Sequence, residues 1–244
     1  MSSLLVLETP RLNYGESLKL QKAVETLVLQ GKITDTLILT EHAPVVTAGR
    51  SAKSEDLLLT EEALRERGID RHEIDRGGEW TYHGPGQVVG YPIFNLKKHG
   101  EDVGGFLRNL ETVLMKTLEE YGLKASQRKP WTGVWLNPHT TQERKIAAIG
   151  VHLKKWVSTH GIALNVNNDP KDFSVIVPCG LKESGVTSMR QELGHDLDLD
   201  LIRKMLIANF VEVFRFNAFE RISSEVLKNQ VSFKSDGTLS AEVI

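Results

Sequence analysis

The sequence predicts an α/β protein of the α+β type, with one mixed, mainly antiparallel sheet flanked by helices. The chain has 244 residues, of which 40% are hydrophobic, so it can bury one sizeable core. Strand-like segments alternate with helical ones in the first half and follow one another directly in the second. The sequence contains no solenoid repeat and no linker rich in Pro, Gly or Ser. We therefore expect a single domain over 1–232 and a polar, poorly ordered tail over 233–244.

In the first half, apolar residues at three- and four-residue spacing predict helices over 14–30, 60–67 and 103–118. A glycine follows each of these segments, at positions 31, 68 and 122, and glycine is the residue that most often ends a helix. The short apolar runs at 36–40, 44–48 and 88–96 are typical of buried strands.

In the second half, strands are predicted at 133–136, 145–153 and 156–165, and the last two form a hairpin across Lys154 and Lys155. An amphipathic helix follows over 199–216. It begins at Asp198 or Asp200, where a carboxylate interacts favourably with the helix dipole.

The charge balance, the N-terminus and the cysteine count narrow the function classes. Lys and Arg number 30 against 32 Asp and Glu, and the net charge of −2 argues against a nucleic-acid coat or a disordered chain. Residues 1–7 are too short an apolar run for an export signal or a membrane span, so we expect a cytoplasmic location. Cys179 is the single cysteine, which excludes an intramolecular disulfide and a multi-thiolate metal site. Cys179 is therefore either an inert thiol or a nucleophile.

The glycine-rich segment at 76–87 reads Arg-Gly-Gly-Glu-Trp-Thr-Tyr-His-Gly-Pro-Gly-Gln. Its glycines allow a ligand to approach the backbone closely, and its Arg, Tyr and His side chains are costly to bury without partners. No Gly-Lys-Ser/Thr follows, and the glycine spacing differs from the dinucleotide fingerprint, so a phosphate site is disfavoured. A bulged hairpin is the simpler alternative.

Small residues line the two strands of the predicted hairpin. Ala147, Ala148 and Gly150 follow Lys145, and His160-Gly161-Ile162-Ala163 has a similar composition. The two segments could form the walls of an apolar slot for an acyl chain, although small residues serve close packing equally well. Lys145 itself could be no more than a solvated strand end.

Cys179 lies between Pro178 and Gly180, outside any periodic apolar segment. An ordinary cysteine, with a pKa of about 8.5, is only about 3% thiolate at pH 7. A nearby lysine ammonium could lower such a pKa by about 1–3 units, and a Cys–Lys pair would then suffice for acyl transfer from an activated donor. An inert thiol and a Cys–His hydrolase remain open, because the chain has eight histidines.

Three blocks of this sequence resemble the lipoate-pathway octanoyltransferases, which are octanoyl-[acyl-carrier-protein]:protein N-octanoyltransferases. The first is the glycine-rich segment at 76–87, and the second comprises 145–150 with 160–165. The third comprises 178–181 with 186–188, and Tyr14 and Gln21 resemble the family's N-terminal helix.

The resemblance implies the fold of biotin and lipoate protein ligases and a two-step transfer without ATP. Cys179 would attack the octanoyl thioester of acyl carrier protein, and Lys145 would lower the cysteine pKa. The acceptor would be a lysine on a lipoyl domain or on glycine-cleavage H protein. No cofactor, metal, nucleic acid or membrane is implied, and we expect a monomer.

The resemblance also assigns the octanoyl-binding residues. They are Arg76, Gly77, Gly78, Glu79, Trp80, Thr81, Tyr82, His83, Ala148, Ile149, Gly150, Gly161, Ile162 and Ala163. Acyl carrier proteins are acidic, so a basic patch is expected, with Arg128-Lys129, Arg144 and Lys154-Lys155 as candidates. The alternatives are an ATP-dependent lipoate ligase of the same fold, a non-catalytic acyl- or lipoyl-domain-binding module, and a Cys–His thioesterase.

Overall fold

The computed structural model of the chain describes residues 3–177, 185–223, 232–233 and 239–240. Cys179 lies outside the described residues. The helices are α1 (Tyr14–Leu29), α2 (Glu61–Glu66), α3 (Val103–Glu119), α4 (Met189–Leu193) and α5 (Leu199–Val213). The strands are β1 (Ser3–Glu8), β2 (Thr36–Thr40), β3 (Val45–Ala48), β4 (Asp70–Glu73), β5 (Trp80–His83), β6 (Gln87–Ile93), β7 (Ser126–Arg128), β8 (Trp131–Leu136), β9 (Arg144–Lys154), β10 (Val157–Asn165), β11 (Gly185–Val186), β12 (Ala218–Arg221), β13 (Ser232–Phe233) and β14 (Leu239–Ser240).

The main sheet has the strand order β12-β1-β2-β6-β10-β9-β8-β7, and β11 adds to β9. The pairs β1–β12, β1–β2 and β9–β11 are parallel, whereas the pairs from β2 through to β7 are antiparallel. A smaller sheet has the order β4-β3-β5. The predicted mixed, mainly antiparallel sheet is therefore confirmed.

Helices cover the main sheet because each presents an apolar stripe to it. Leu110 and Leu114 of α3 and Phe210 of α5 share one buried cluster with residues from β1, β2, β6, β8, β9 and β10. A second cluster joins Val24 and Leu27 of α1 to β2, β6 and β10. The sheet thus has helices on two sides of its core, as the hydrophobic spacing predicts.

The side chains that cap the N-termini of α2 and α5 are those that the sequence predicts. Thr60 accepts a hydrogen bond from the Ala63 N–H at 3.2 Å, and it caps α2. Asp198 accepts from the N–H of Asp200 at 2.8 Å and from that of Leu201 at 3.3 Å, and it caps α5. Helix α5 begins at Leu199, as the sequence predicts, but it ends at Val213 instead of residue 216.

The predicted hairpin is correct, but its turn is displaced by one residue. Lys155 and Trp156 form the turn, with φ of 49° and 68°, so Lys154 still belongs to β9. Positive φ at both central residues matches the right-handed twist of the flanking strands. The expected strand at 88–96 covers Gln87–Ile93 instead and is followed by a 3₁₀ turn at Leu96–Lys98.

The structure adds β1, β4, β5, β7, β11, β12 and α4, which the sequence patterns do not predict. In the predicted tail, β13 and β14 pair with each other, and the remaining tail residues lie outside the described part of the chain. The single-domain boundary at 232 stays a prediction. Among the described residues, no helix has the length and apolar character needed to span a membrane.

Candidate active site

A cavity of about 490 Å³ lies between β9, β10, the glycine-rich segment, α3 and the start of β8. It brings together Lys145 and all of the predicted binding residues except Tyr82. The lining members are Arg76, Gly77, Gly78, Glu79, Trp80, Thr81, His83, Ala148, Ile149, Gly150, Gly161, Ile162 and Ala163. Tyr82 instead packs edge-to-face on Phe173, with ring centroids 5.6 Å apart.

The hairpin of β9 and β10 forms the walls of the cavity. Gly161 pairs with Gly150, and Ala163 pairs with Ala148. A Cβ atom at Gly161 would lie 2.3 Å from the carbonyl oxygen of Gly90 on β6, so this glycine also allows close strand packing. At this position, the small residue therefore both lines the cavity and allows close packing of the strands.

The guanidinium of Arg76 organises the glycine-rich segment. Arg76 is buried, and its Nη2 donates to the carbonyl oxygens of Thr47 and Glu79, each at 2.8 Å. Its Nη1 donates to the carbonyl oxygen of Gly77 at 3.0 Å. Because a guanidinium carries several donors in fixed directions, one side chain can hold two points of the segment and tie them to Thr47 of β3.

The glycine-rich segment connects the two sheets. The Gly77 N–H donates to the Val151 carbonyl of β9 at 2.9 Å, and the Ser51 N–H next to β3 donates to the Gly78 carbonyl at 3.1 Å. A Cβ atom at Gly150 would lie 2.9 Å from the Gly77 oxygen, so the crossing requires glycine there. The segment therefore crosses β9 at Val151, and both Val151 and Leu153 line the cavity.

A polar chain of three side chains lies where the cavity meets α1. His160 has φ of 57° within β10, and its Nε2 lies 2.8 Å from Asp75 Oδ1. Its Nδ1 lies 3.4 Å from the hydroxyl of Tyr14. Burial lowers the pKa of His160, with the Asp75 carboxylate opposing the shift, so a neutral ring donates from Nε2 and accepts from Tyr14. Gln21 accepts the backbone N–H of His160 at 2.9 Å.

Two further histidines lie beside Tyr14 and are neutral at pH 7. His42 Nε2 is 2.6 Å from the Tyr91 hydroxyl, and burial lowers the pKa of His42 to about 4. His83 Nδ1 is 2.7 Å from Gln87 Oε1, and burial lowers the pKa of His83 to about 3. We call the part of the cavity lined by Tyr14, His83 and His160, together with His42 behind Tyr14, the histidine end.

Lys145 lies near the start of β9, six positions before Val151, which pairs with His160. At about 3.3 Å per residue, this separation is about 20 Å along the strand. Its Nζ lies 5.0 Å from the ring centroid of Trp135, and Lys145 is only 8% exposed. We call the region of Lys145, Trp131 and Thr132 the lysine end.

Glu111 of α3 lies behind the lysine end and belongs to none of the motifs predicted to form the site. Its Oε1 accepts the Gly133 N–H at 2.9 Å, and its Oε2 lies 2.7 Å from Nη1 of Arg108. Burial raises the pKa of Glu111, and the Gly133 hydrogen bond and the charges of Arg108 and Lys145 oppose this shift. A charged residue among the apolar positions of α3 is the signal that could have identified it.

Two of the predicted basic positions are engaged elsewhere. Arg128 pairs with Glu143 and stacks on Trp131 at 4.2 Å. Two nitrogens of the Arg144 guanidinium donate to the Glu192 carboxylate, Nε at 2.6 Å and Nη2 at 2.5 Å. Lys154 and Lys155 are exposed at the hairpin turn.

The expected contact between Lys145 and Cys179 stays a prediction, because Cys179 lies outside the described residues. Within the described part of the chain, no group of three or more His, Cys, Asp or Glu side chains could hold a metal ion. The cavity itself, with apolar walls, a cation at one end and neutral polar groups at the other, is suited to an acyl chain with a reactive carbonyl.

The family model described as "Lipoyl protein ligase A/B catalytic domain" matches residues 13–211. An octanoyltransferase of Myxococcus xanthus is 42% identical over 215 residues, which are 88% of this chain and 60% of that protein. One of Caldicellulosiruptor saccharolyticus is 42% identical over 223 residues, covering 91% and 92%.

A bi-partite lipoate protein ligase of Thermoplasma acidophilum has the same fold. Its structure superposes with a TM-score of 0.70 at 21% identity, and the match covers 93% of this chain and 89% of that one. The expected resemblance to the lipoate ligase catalytic domain is therefore confirmed for the fold.

Proposed function

Since the chain belongs to the lipoyl protein ligase A/B catalytic domain family and is an acyltransferase, we propose that it transfers an octanoyl group to protein lysines. The donor is octanoyl-acyl carrier protein. The acceptors are lipoyl domains of 2-oxoacid dehydrogenases and glycine-cleavage H protein. The enzyme acts in the cytoplasm as a monomer and without a cofactor.

The cavity is the observation that supports this proposal. Segments far apart in the sequence, the glycine-rich loop and both strands of the hairpin, line one apolar space with Lys145 at one end. From Ala148 to Val151, where the loop crosses, β9 covers about 10 Å. An extended octanoyl chain measures about 9 Å from carbonyl to methyl, since each C–C bond of about 1.5 Å advances the zigzag by about 1.3 Å. An octanoyl chain therefore matches this stretch of β9 in length, with its carbonyl directed towards the lysine end.

In the first step, the Cys179 thiolate attacks the carbonyl carbon of the octanoyl thioester. The bond to the carrier's sulfur breaks, and that sulfur leaves as a thiolate that takes up a proton. The ammonium of Lys145 favours the ionised cysteine by its charge, because an opposite charge close by stabilises a thiolate. The product is an octanoyl thioester on Cys179.

In the second step, the uncharged ε-amine of the acceptor lysine attacks this thioester. The amide bond forms, the amine loses a proton, and Cys179 leaves as a thiolate. A thioester is already an activated acyl group, so its conversion to an amide needs no nucleotide. Division into two steps lets the carrier leave before the acceptor domain docks.

Intact-mass spectrometry of the full-length chain incubated with octanoyl-acyl carrier protein tests the proposal. We expect a mass increase of one octanoyl group, its loss after addition of a lipoyl domain, and the same mass increase on the domain. Cys179→Ser should not form the thioester adduct. An adduct that persists in Cys179→Ala would contradict the mechanism.

A parallel incubation with lipoate and ATP separates the proposed transferase from a ligase of the same fold. Modification of the lipoyl domain only in that mixture would replace the transferase by the ligase. Release of free octanoate without any acceptor would instead indicate a thioesterase. Failure to react under any condition would leave a non-catalytic binding module.

A further inference from the structure

One buried carboxylate at the lysine end takes no part in the two steps above. Glu111 is fully buried on α3, although an ionised carboxylate is costly to remove from water without compensation. Two compensating contacts are the Gly133 N–H at 2.9 Å and Arg108 at 2.7 Å. A group retained at this cost on an otherwise apolar helix face calls for an explanation.

Gly133 connects Glu111 to Lys145. Its φ of 130° favours glycine, and a Cβ atom there would lie 2.5 Å from Cε and 3.2 Å from Nζ of Lys145. The lysine side chain therefore lies directly on the backbone that Glu111 holds. On its other side, Nζ lies above the ring of Trp135.

The charges around Glu111 have a definite arrangement. Arg108 comes from its own helix and is 37% exposed, whereas Lys145 comes from β9 and is buried. Arg128 lies against Trp135 at 5.3 Å, but it pairs with Glu143. The negative charge of Glu111 thus faces one solvent-side cation and one cation that lines the cavity.

We propose that Glu111 is a positioning residue for Lys145, which it holds at the cavity by fixing Gly133 and by supplying a buried negative charge. The inference rests on the proposed function, because it concerns the charge that favours the Cys179 thiolate. The carboxylate acts on Lys145 from the side of Gly133, and Lys145 itself lines the cavity.

Glu111→Gln separates the charge from the hydrogen bond, because the amide oxygen can still accept the Gly133 N–H. We expect the alkaline limb of the pH–rate profile for acyl-enzyme formation to move about one pH unit lower, with about tenfold slower acylation on that limb. Glu25→Gln is the matched control, since Glu25 is also a buried carboxylate, on α1. Its profile should follow the wild-type profile.

A double-mutant comparison distinguishes action through Lys145 from a purely structural role. In a Lys145→Met background, Glu111→Gln should change the acylation rate by less than about twofold. An equal slowing in both backgrounds would overturn the inference, as would a pH profile for Glu111→Gln that superimposes on the wild type.

Arg108→Gln provides a second test that leaves the Gly133 contact in place, should Glu111→Gln fail to fold. Because Arg108 also pairs with Glu111, its removal leaves the carboxylate charge less compensated beside Lys145, and the alkaline limb of the rate profile should move to higher pH, opposite to its shift in Glu111→Gln. An alkaline limb that stays in place or moves lower would contradict the inference. If the wild-type chain itself forms no acyl-enzyme, the proposed function fails and the inference falls with it.

Discussion

The two ends of the cavity hold polar groups in opposite ways. At the histidine end, both ring nitrogens of His160 and His42 have hydrogen-bond partners, and burial keeps the rings neutral. At the lysine end, a buried cation lies over an aromatic face. The polar groups of the histidine end are therefore paired with one another, whereas the lysine end carries the side chain for which we propose a role in the reaction. Substitutions at the two ends should accordingly affect different quantities.

Lys145→Met gives the largest effect expected at the lysine end. It keeps the apolar stem and removes the charge, so acyl-enzyme formation should slow by about 10²–10³-fold while the melting temperature changes little. Single-turnover acylation followed by intact mass measures the rate, and thermal unfolding measures stability. The matched control is Lys19→Met, an exposed lysine on α1. Equal slowing in both variants would show that the loss of acylation rate is not specific to the lysine end of the cavity.

Arg76→Lys should lower stability more than Lys145→Met does. A lysine cannot reach the carbonyls of Thr47, Glu79 and Gly77 together, so the free energy of unfolding should fall by about 2–4 kcal/mol. Urea unfolding measures this change. Arg71→Lys on β4, which weakens two surface ion pairs and the contact of the guanidinium with the Trp80 ring at 5.6 Å, should cost less than about 1 kcal/mol. Equal costs would show that Arg76 does not brace the loop.

The histidine end should make stability depend on pH. The pKa of His42 is about 4 in the folded protein but about 6.5 in an unfolded chain, so the unfolded state binds one more proton between these values. Stability should fall as the pH falls from about 6.5 to about 4, by at most about 1.4 kcal/mol per pH unit for this residue. Urea unfolding of wild type and His42→Gln over this range should show a shallower slope in the variant. Identical slopes would assign the pH dependence to other groups.

Gly150→Ala should have the smallest effect of the four. The new Cβ atom would lie 2.9 Å from the Gly77 oxygen, so the loop crossing must shift, at a cost of about 1–2 kcal/mol. The KM for the octanoyl donor should rise while single-turnover acylation at saturation stays close to wild type. Gly15→Ala, where the nearest side-chain atom is 3.8 Å away, should leave KM unchanged. A change in the rate alone would place the crossing at the reacting carbonyl.

Hydrophobic periodicity predicted the main helices and the β9–β10 hairpin, because this pattern depends only on residues that are close together in the sequence. The stripe on α3 and the small residues of the β9–β10 hairpin are visible in the sequence, and they form one side of the core and both cavity walls. By contrast, β4 has the sequence Asp-Arg-His-Glu, without any apolar alternation. Its strand conformation comes from parallel pairing with β3, which no local pattern contains.

Most of the predicted positions line the cavity, whereas the contacts that their side chains make could not be read from the sequence. The assignment of Arg76 to octanoyl binding stays a prediction, and the hydrogen bonds of its guanidinium to Thr47, Gly77 and Glu79 are contacts that the sequence does not reveal. The Asp75–His160–Tyr14 chain joins three elements far apart in sequence and depends on the positive φ of His160. Such contacts between distant segments arise from tertiary packing, and short sequence motifs do not encode them.

The hairpin that supplies both walls has a consequence for how the site assembles during folding. Its strands are joined by a two-residue turn, and hairpins of this kind form within about 1–10 µs because little loop entropy is lost. The glycine-rich loop docks at Val151, far along the chain, so it must wait for that strand. During synthesis the loop leaves the ribosome first. The parts of the cavity therefore become ordered in the reverse of the order in which they are made.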